Sequence, residues 1–314
     1  MMKNVRQVST SGMSREEWLE QRRHSLGGSD AAAIVGLSKW ASPYTVWAEK
    51  TGKLPEKEET EALRLGRDLE QYVAARWMEA TGKKVRRVNA MLYNDQYPFA
   101  HADIDRWVIG ENAGLECKTT SALDLKRFRG VEFPEQYYAQ CVHYMAVTGA
   151  DRWYLGVLVF GRGFFEYTLE RDQAEIDALM NAEAEFWPCV VQDVAPVPDG
   201  SVATTEAIGT IWRESGNNEA SLFGRENLIA EYFRLKASAK ELEGRSREIE
   251  NILKIDMGDA ENASCGVYRV SWTSQERKTF DTKAFQAVHP GIDLSPFYKT
   301  TTVRPFRLTE TTKN

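Results

Sequence analysis

Cysteine is scarce: the 314 residues hold four, at positions 117, 141, 189 and 265, with no paired spacing. Zinc sites and disulfide frameworks need clustered cysteines, so the pattern argues against both and for a reducing, intracellular setting. Long apolar runs are also missing. The stretch from Met1 to Gly12 has no apolar centre for a signal peptide, and Trp153 to Phe160, the longest apolar run, is too short to span a bilayer. That run reads as a buried strand, and no membrane partner is expected. Nor is there a basic excess: 40 Lys and Arg stand against 46 Asp and Glu, a formal charge of −6 that argues against a broad non-specific DNA-binding face. The charges are mixed rather than blocky, and apolar residues suffice for a sizeable core in one large domain plus an appendage, so disorder is not expected.

What is present concentrates around Leu115-Glu116-Cys117-Lys118-Thr119. Arg106 to Ile109 and Leu115 to Lys118 are β-prone runs, and Gly110-Glu111-Asn112-Ala113-Gly114 between them is turn chemistry, so the segment predicts a hairpin. Folding it about its middle sets Asp105 opposite Glu116. Side chains alternate along a strand, so Glu116 and Lys118 share a face and Cys117 points away. Two carboxylates and an ammonium then converge, which suits Mg²⁺ ligation and charge stabilisation at a scissile phosphate. Taken alone, the pattern also describes a solvated hairpin face.

Neighbouring segments supply further candidates. From Ala62 to Thr81, Leu63, Gly66, Glu70, Val73 and Trp77 recur at helical spacing along one apolar stripe. A carboxylate at Glu70 on that stripe is costly unless paired or metal-bound; the alternative is a stripe-edge Glu that reaches solvent. A second helix starts near Pro134, shows an apolar face at Tyr137, Cys141, Tyr144, Met145 and Thr148, and stops at Gly149. Gln140 beside that face can hold a phosphate or the attacking water, or simply bond backbone.

These residues carry a family resemblance. Trp18-Leu19-Glu20-Gln21-Arg22 and Leu26-Gly27-Gly28-Ser29-Asp30-Ala31-Ala32-Ala33-Ile34-Val35-Gly36 are similar to the opening motif of the YqaJ viral recombinases, the phage lambda-type exonucleases. Gly66-Arg67-Asp68-Leu69-Glu70, Asp105, Glu116-Cys117-Lys118, Tyr137-Tyr138-Ala139-Gln140 and His143 to Gly149 follow in family order, so the likeness spans about residues 14 to 190. The resemblance implies an α/β, restriction-endonuclease-like fold of the PD-(D/E)XK class, a mixed central sheet flanked by helices. It further implies Mg²⁺-dependent degradation of double-stranded DNA from 5′ ends, with Mn²⁺ as a substitute, in the cytoplasm of a bacterial host of a phage or prophage.

The resemblance makes Asp105 and Glu116 metal carboxylates, the backbone carbonyl of Cys117 a further ligand and Lys118 the catalytic cation. Glu70 would serve a second metal, directly or through water, and Gln140 would touch phosphate or water. Arg22 and Ser29, seven residues apart, would hold the terminal 5′-phosphate: a guanidinium fork matches a phosphate dianion, and a Gly-Gly-Ser turn ahead of a helix start at Ala31 to Val35 would aim N–H groups at an anion. One departure stands out. Two positions before the metal Asp, relatives place a small polar residue, whereas this chain has Asp103, which would repel phosphate unless a cation intervenes.

Lys83-Lys84-Val85-Arg86-Arg87 and Lys126-Arg127-Phe128-Arg129 are basic clusters that read either as DNA-tracking or as solvated loops. The domain reading is a nuclease core at 1–195, a Pro- and Ser/Thr-rich connector at 196–216, and a C-terminal long helix with a small α/β appendage at 217–314. In that appendage Leu228, Tyr232, Leu235, Ala239, Leu242, Ser246, Ile249 and Leu253 alternate four- and three-residue steps, a heptad-like seam for self-association, for a partner or for an intramolecular helix. Val267 to Thr273 reads as a strand and Phe280 to His289 as a short helix. Family relatives lead to an expected trimeric ring around the duplex, with a single-strand annealing protein as partner. The rival readings are a non-hydrolytic DNA-end-binding scaffold and an endonuclease on the same core.

Overall fold

The computed structural model describes residues 5–56, 60–121, 133–216 and 218–309. The chain divides into two units, Met1–Arg213 with Arg304–Asn314, and Glu214–Val303. The first opens with β1 (Val5–Ser9), α1 (Arg15–Arg23), α2 (Gly28–Ile34), α3 (Pro43–Lys50) and α4 (Glu61–Thr81). It continues through β2 (Val85–Arg87), β3 (Ala90–Asn94), β4 (His101–Ala102), β5 (Arg106–Val108), β6 (Ala113–Thr120) and α5 (Glu135–Thr148). β7 (Arg152–Val159), β8 (Gly163–Glu170), α6 (Gln173–Val191) and α7 (Val202–Ile211) complete it.

A five-stranded sheet runs β2-β5-β6-β7-β8, and only β6 and β7 are parallel. Parallel neighbours cannot be joined by a tight turn, and here α5 makes the crossover. A separate three-stranded antiparallel sheet runs β1-β3-β4. This is the mixed, helix-flanked sheet of the restriction-endonuclease-like core. The hairpin forms as expected: Arg106 pairs with Leu115 and Trp107 with Gly114. Alternation along β6 then decides what faces what. Leu115 and Cys117 join Val73, Ala74 and Trp77 of α4 in one core cluster, leaving Glu116 and Lys118 on the α5 side.

Three expectations are revised. The α4 stripe is buried only from Val73 onward, and Leu63 at its start is 60% exposed. α2 starts at Gly28, three residues early, because the Asp30 carboxylate accepts the Gly27 N–H at 2.9 Å and caps the helix there. Within 196–216, α7 is no linker: Ser201 caps it, Ala203, Thr204 and Ala207 are buried, and Thr204 Oγ1 donates to Ser42 Oγ at 2.7 Å. The basic cluster at 126–129 lies outside the described residues.

The second unit contains α8 (Glu226–Met257), the hairpin β9 (Asn262–Cys265) and β10 (Tyr268–Ser271), and α9 (Thr282–Val288). No described helix is long and apolar enough to cross a membrane.

Candidate active site

Asp105, Glu116 and Lys118 converge as the hairpin requires. Asp105 Oδ2 accepts the Cys117 N–H at 2.7 Å, which ties the residue before β5 across to β6. Glu116, 2% exposed, accepts through Oε1 from Lys118 Nζ at 2.6 Å and from Gln140 Nε2 at 2.8 Å. Gln140 also donates to the Tyr144 hydroxyl one turn along α5, at 2.9 Å, so its amide is held in place. Lys118 Nζ lies 5.5 Å from the centre of the Tyr137 ring.

Electrostatics make this cluster expensive. Burial and then the neighbouring Glu116 push the Asp105 carboxyl well above its usual range; burial also raises Glu116, against the pull of Lys118. For Lys118 burial works against the charge, yet Glu116 and Asp105 outweigh it and hold the ammonium firmly protonated. Glu116 Oε2 is buried without a hydrogen-bond partner. Two crowded carboxylates and an orphaned oxygen fit a hard divalent cation, which would relieve the repulsion and satisfy that oxygen. Among the described residues, no three His, Cys, Asp or Glu side chains converge on one metal-binding point.

Glu70 explains why. Its carboxylate is ion-paired with Arg106 Nη1, and Arg106 also donates to the Asp105 carbonyl at 2.6 Å and to Gln71 Oε1 at 3.1 Å. Arg106 is 3% exposed, so this buried guanidinium ties α4 to the start of β5. The clamp was missed by sequence reasoning. Its one visible signal was an arginine inside a β-prone run directly after Asp105.

The second pocket forms where α1, α2 and β4 meet. Arg22 Nη2 donates to Ser29 Oγ at 2.8 Å and Nη1 to Asp103 Oδ2 at 3.2 Å, while the guanidinium stacks 4.7 Å from the Trp18 ring. Asp103 therefore meets a cation, and the repulsion that it threatened is met by the residue proposed to hold phosphate. Burial raises the Asp103 carboxyl while Arg22 pulls it down, with a net rise. The two glycines permit the close approach: a Cβ on Gly27 would sit 3.0 Å from His101 Nε2, and one on Gly28 2.6 Å from Tyr144 Cε1. Beneath them Lys50 Nζ donates to the carbonyls of Arg22 and Ser25, each at 2.7 Å, and pairs with Asp30 at 2.8 Å. Burial would raise the Asp30 carboxyl, but Lys50 and Arg22 bring it down to about 2.

Trp18 lines two adjoining cavities. One, about 380 Å³, contains Arg22 and Ser29 with Arg15 and Arg23; the other, about 280 Å³, contains Asp103, Asp105 and Glu70 with Arg67 and Arg87. Arg22 and Ser29 thus line one cavity and Asp103 and Asp105 the other, with Trp18 shared by both.

A family model described as the YqaJ-like viral recombinase domain matches residues 17–151. Over 292 residues the chain is 40% identical to the uncharacterized protein YqaJ of Bacillus subtilis (strain 168), covering 91% of each chain. Among solved structures, it is similar to the alkaline exonuclease LHK-Exo from Laribacter hongkongensis, at 22% identity and a TM-score of 0.49, over 57% of this chain and 93% of that one. It is also similar to a phage related exonuclease from Haemophilus somnus 129PT, at 13% identity and a TM-score of 0.41, over 56% of this chain and 100% of that one.

Proposed function

Since the chain belongs to the YqaJ-like viral recombinase family, we propose that it is a Mg²⁺-dependent nuclease that resects duplex DNA from 5′ ends, releasing mononucleotides and leaving a 3′-ended single strand for annealing. The observation that carries this reading is the buried Asp105–Glu116 pair with its orphaned Glu116 Oε2 beside Lys118. Such a donor set takes a hard cation through Asp105, Glu116 and the carbonyl of Cys117. When bound, Mg²⁺, or Mn²⁺ in its place, supplies Lewis-acid polarisation of the phosphate and a more acidic water.

The chain's own residues do the rest. Lys118, held 2.6 Å from Glu116 Oε1, would offset charge that develops on the scissile phosphate. Gln140, locked by Tyr144, offers an N–H to phosphate or water without competing for metal. Glu70, engaged by Arg106, is left a water-mediated role at a second cation. Arg22 has five N–H donors, and with the Ser29 hydroxyl it can grip a terminal phosphate dianion while Trp18 stacks on its face. A chain of net charge −6 retains DNA best by enclosure, so we place it in a trimeric ring around the duplex, handing the new strand to a single-strand annealing protein.

Digestion of end-labelled linear duplex beside covalently closed circular DNA tests the reading. Mononucleotides from 5′-phosphorylated ends, intact circles, arrest by EDTA and loss of activity in Glu116→Ala are expected. Cleavage of circles at the linear rate would replace exonuclease by endonuclease, and no metal-dependent digestion at all would leave a non-hydrolytic end-binding scaffold.

A further inference from the structure

The long helix α8 of the second unit spans 32 residues, about 48 Å at the helical rise, and Met257 is its one buried residue. Leu228, Leu235, Leu242 and Ile249 repeat every seven residues, with Tyr232, Ala239, Ser246 and Leu253 between them at the complementary heptad position. The five aliphatic members of this seam are between 42% and 71% exposed. A leucine stripe of that length in water is unfavourable, and a strict seven-residue repeat is the period of a seam that faces another helix rather than a globular core.

The residues flanking the seam decide which helix. In a parallel, in-register pair, each position preceding the seam meets the position five residues later on the other helix. Here that sets Glu231 against Lys236, Ser238 against Glu243 and Arg245 against Glu250: two opposite-charge pairs and one pair that carries a single charge, with no like charges. Antiparallel pairing in full overlap also sets Glu231 against Arg245 and Lys236 against Glu250, but it places Glu243 beside its own copy, a like-charge contact that the parallel register avoids. Within one helix Arg245 is bonded to Glu248 at 2.6 Å and Glu250 to Lys254 at 3.6 Å, and these solvent-exposed contacts exchange at little cost.

We propose that α8 is a self-association element, pairing in parallel and in register with α8 of another copy of this chain. The pairing does not depend on the exonuclease reading or on the ring, though a cyclic assembly whose axis runs along the coil also requires parallel helices.

The test uses the full chain with Cys265→Ser, which removes the exposed native thiol. Leu242→Cys, at the seam, should give a reducible covalent dimer under mild oxidation, and Lys240→Cys, on the outer face of the same turn, should give little. In light scattering, Arg245→Glu and Glu250→Arg should each weaken self-association about tenfold. An equimolar mixture of the two should recover it, because every crossed pair is again of opposite sign. A parent chain that is monomeric at micromolar concentration, equal cross-linking at 240 and 242, or a mixture no stronger than either variant alone would overturn the proposal. The first of those results would give the seam to a different protein. Unchanged helicity by circular dichroism excludes simple unfolding of the variants.

Discussion

Removing the carboxylate of Glu183 should destabilise the first unit by about 3–5 kcal/mol, the cost of leaving one member of a buried ion pair without its partner. The structure puts the pair at that end of the scale. His143 and Glu183 are both fully buried, and Nδ1 of His143 lies 2.8 Å from Glu183 Oε1. Nε2 lies 2.8 Å from the His101 carbonyl, so with both nitrogens facing acceptors the imidazolium is the matched form. Burial disfavours that charge, yet Glu183 and its hydrogen bond outweigh burial and raise the His143 pKa. The sign follows from linkage: stability from a raised histidine is complete below the unfolded value of about 6.5 and is lost as pH rises through the folded value. Urea unfolding of Glu183→Leu against the parent, followed by tryptophan fluorescence, should therefore show the larger gap at pH 6 and a smaller one at pH 9. His143→Leu combined with Glu183→Leu should restore much of the loss, because an apolar pair leaves no stranded charge. A gap that is the same at both pH values, or a double variant no better than Glu183→Leu, would refute the ion pair.

Lys118→Ala should lower Mg²⁺-dependent digestion by about a hundredfold or more while metal binding is largely kept, measured by single-turnover cleavage and by calorimetry with Mn²⁺. Asp103→Ser should free Arg22 for the ligand and increase the preference for 5′-phosphate over 5′-hydroxyl ends; an unchanged ratio of the two rates would show that Asp103 does not compete for the guanidinium. Gly28→Ala introduces a Cβ 2.6 Å from Tyr144 Cε1 and 3.1 Å from Gln140 Cγ, so it should cost about 1–3 kcal/mol in stability and slow cleavage through the displaced Gln140. Wild-type rates in that variant would separate Gln140 from the chemistry.

The parts of this protein that were legible in its sequence are those governed by short-range periodicity. The two-residue alternation of a strand put Glu116 and Lys118 together and turned Cys117 to α4; the Pro134 start and the left-handed Gly149 stop framed α5. Periodicity failed where packing decides. Leu63 shares a stripe with Val73 and Trp77, but the core covers only the later turns of α4. The Ser/Thr-rich stretch before Trp212 has the composition of a linker, yet Ser201 caps a helix there, and small side chains at Ala203 and Ala207 let it pack closely.

What periodicity cannot reach are the charges that position the site. Arg106 answers Glu70 from 36 residues away, Arg22 answers Asp103 from 81, and His143 answers Glu183 from 40. In each, one member alone reads as a surface charge or a core anomaly, and only the fold supplies the partner that makes burial tolerable. The consequence reaches the chemistry. Because Arg106 engages Glu70 and bonds the Asp105 carbonyl, the carboxylates left crowded around Lys118 are Asp105 and Glu116. Because Asp103 shares Arg22, the guanidinium proposed to take a terminal phosphate already meets a carboxylate two residues from Asp105. A phosphate entering that pocket displaces one partner of an existing ion pair instead of binding a bare cation. On the proposed reading the grip on a terminal phosphate is correspondingly weaker than that of a bare guanidinium, and Asp103→Ser is the variant that measures by how much.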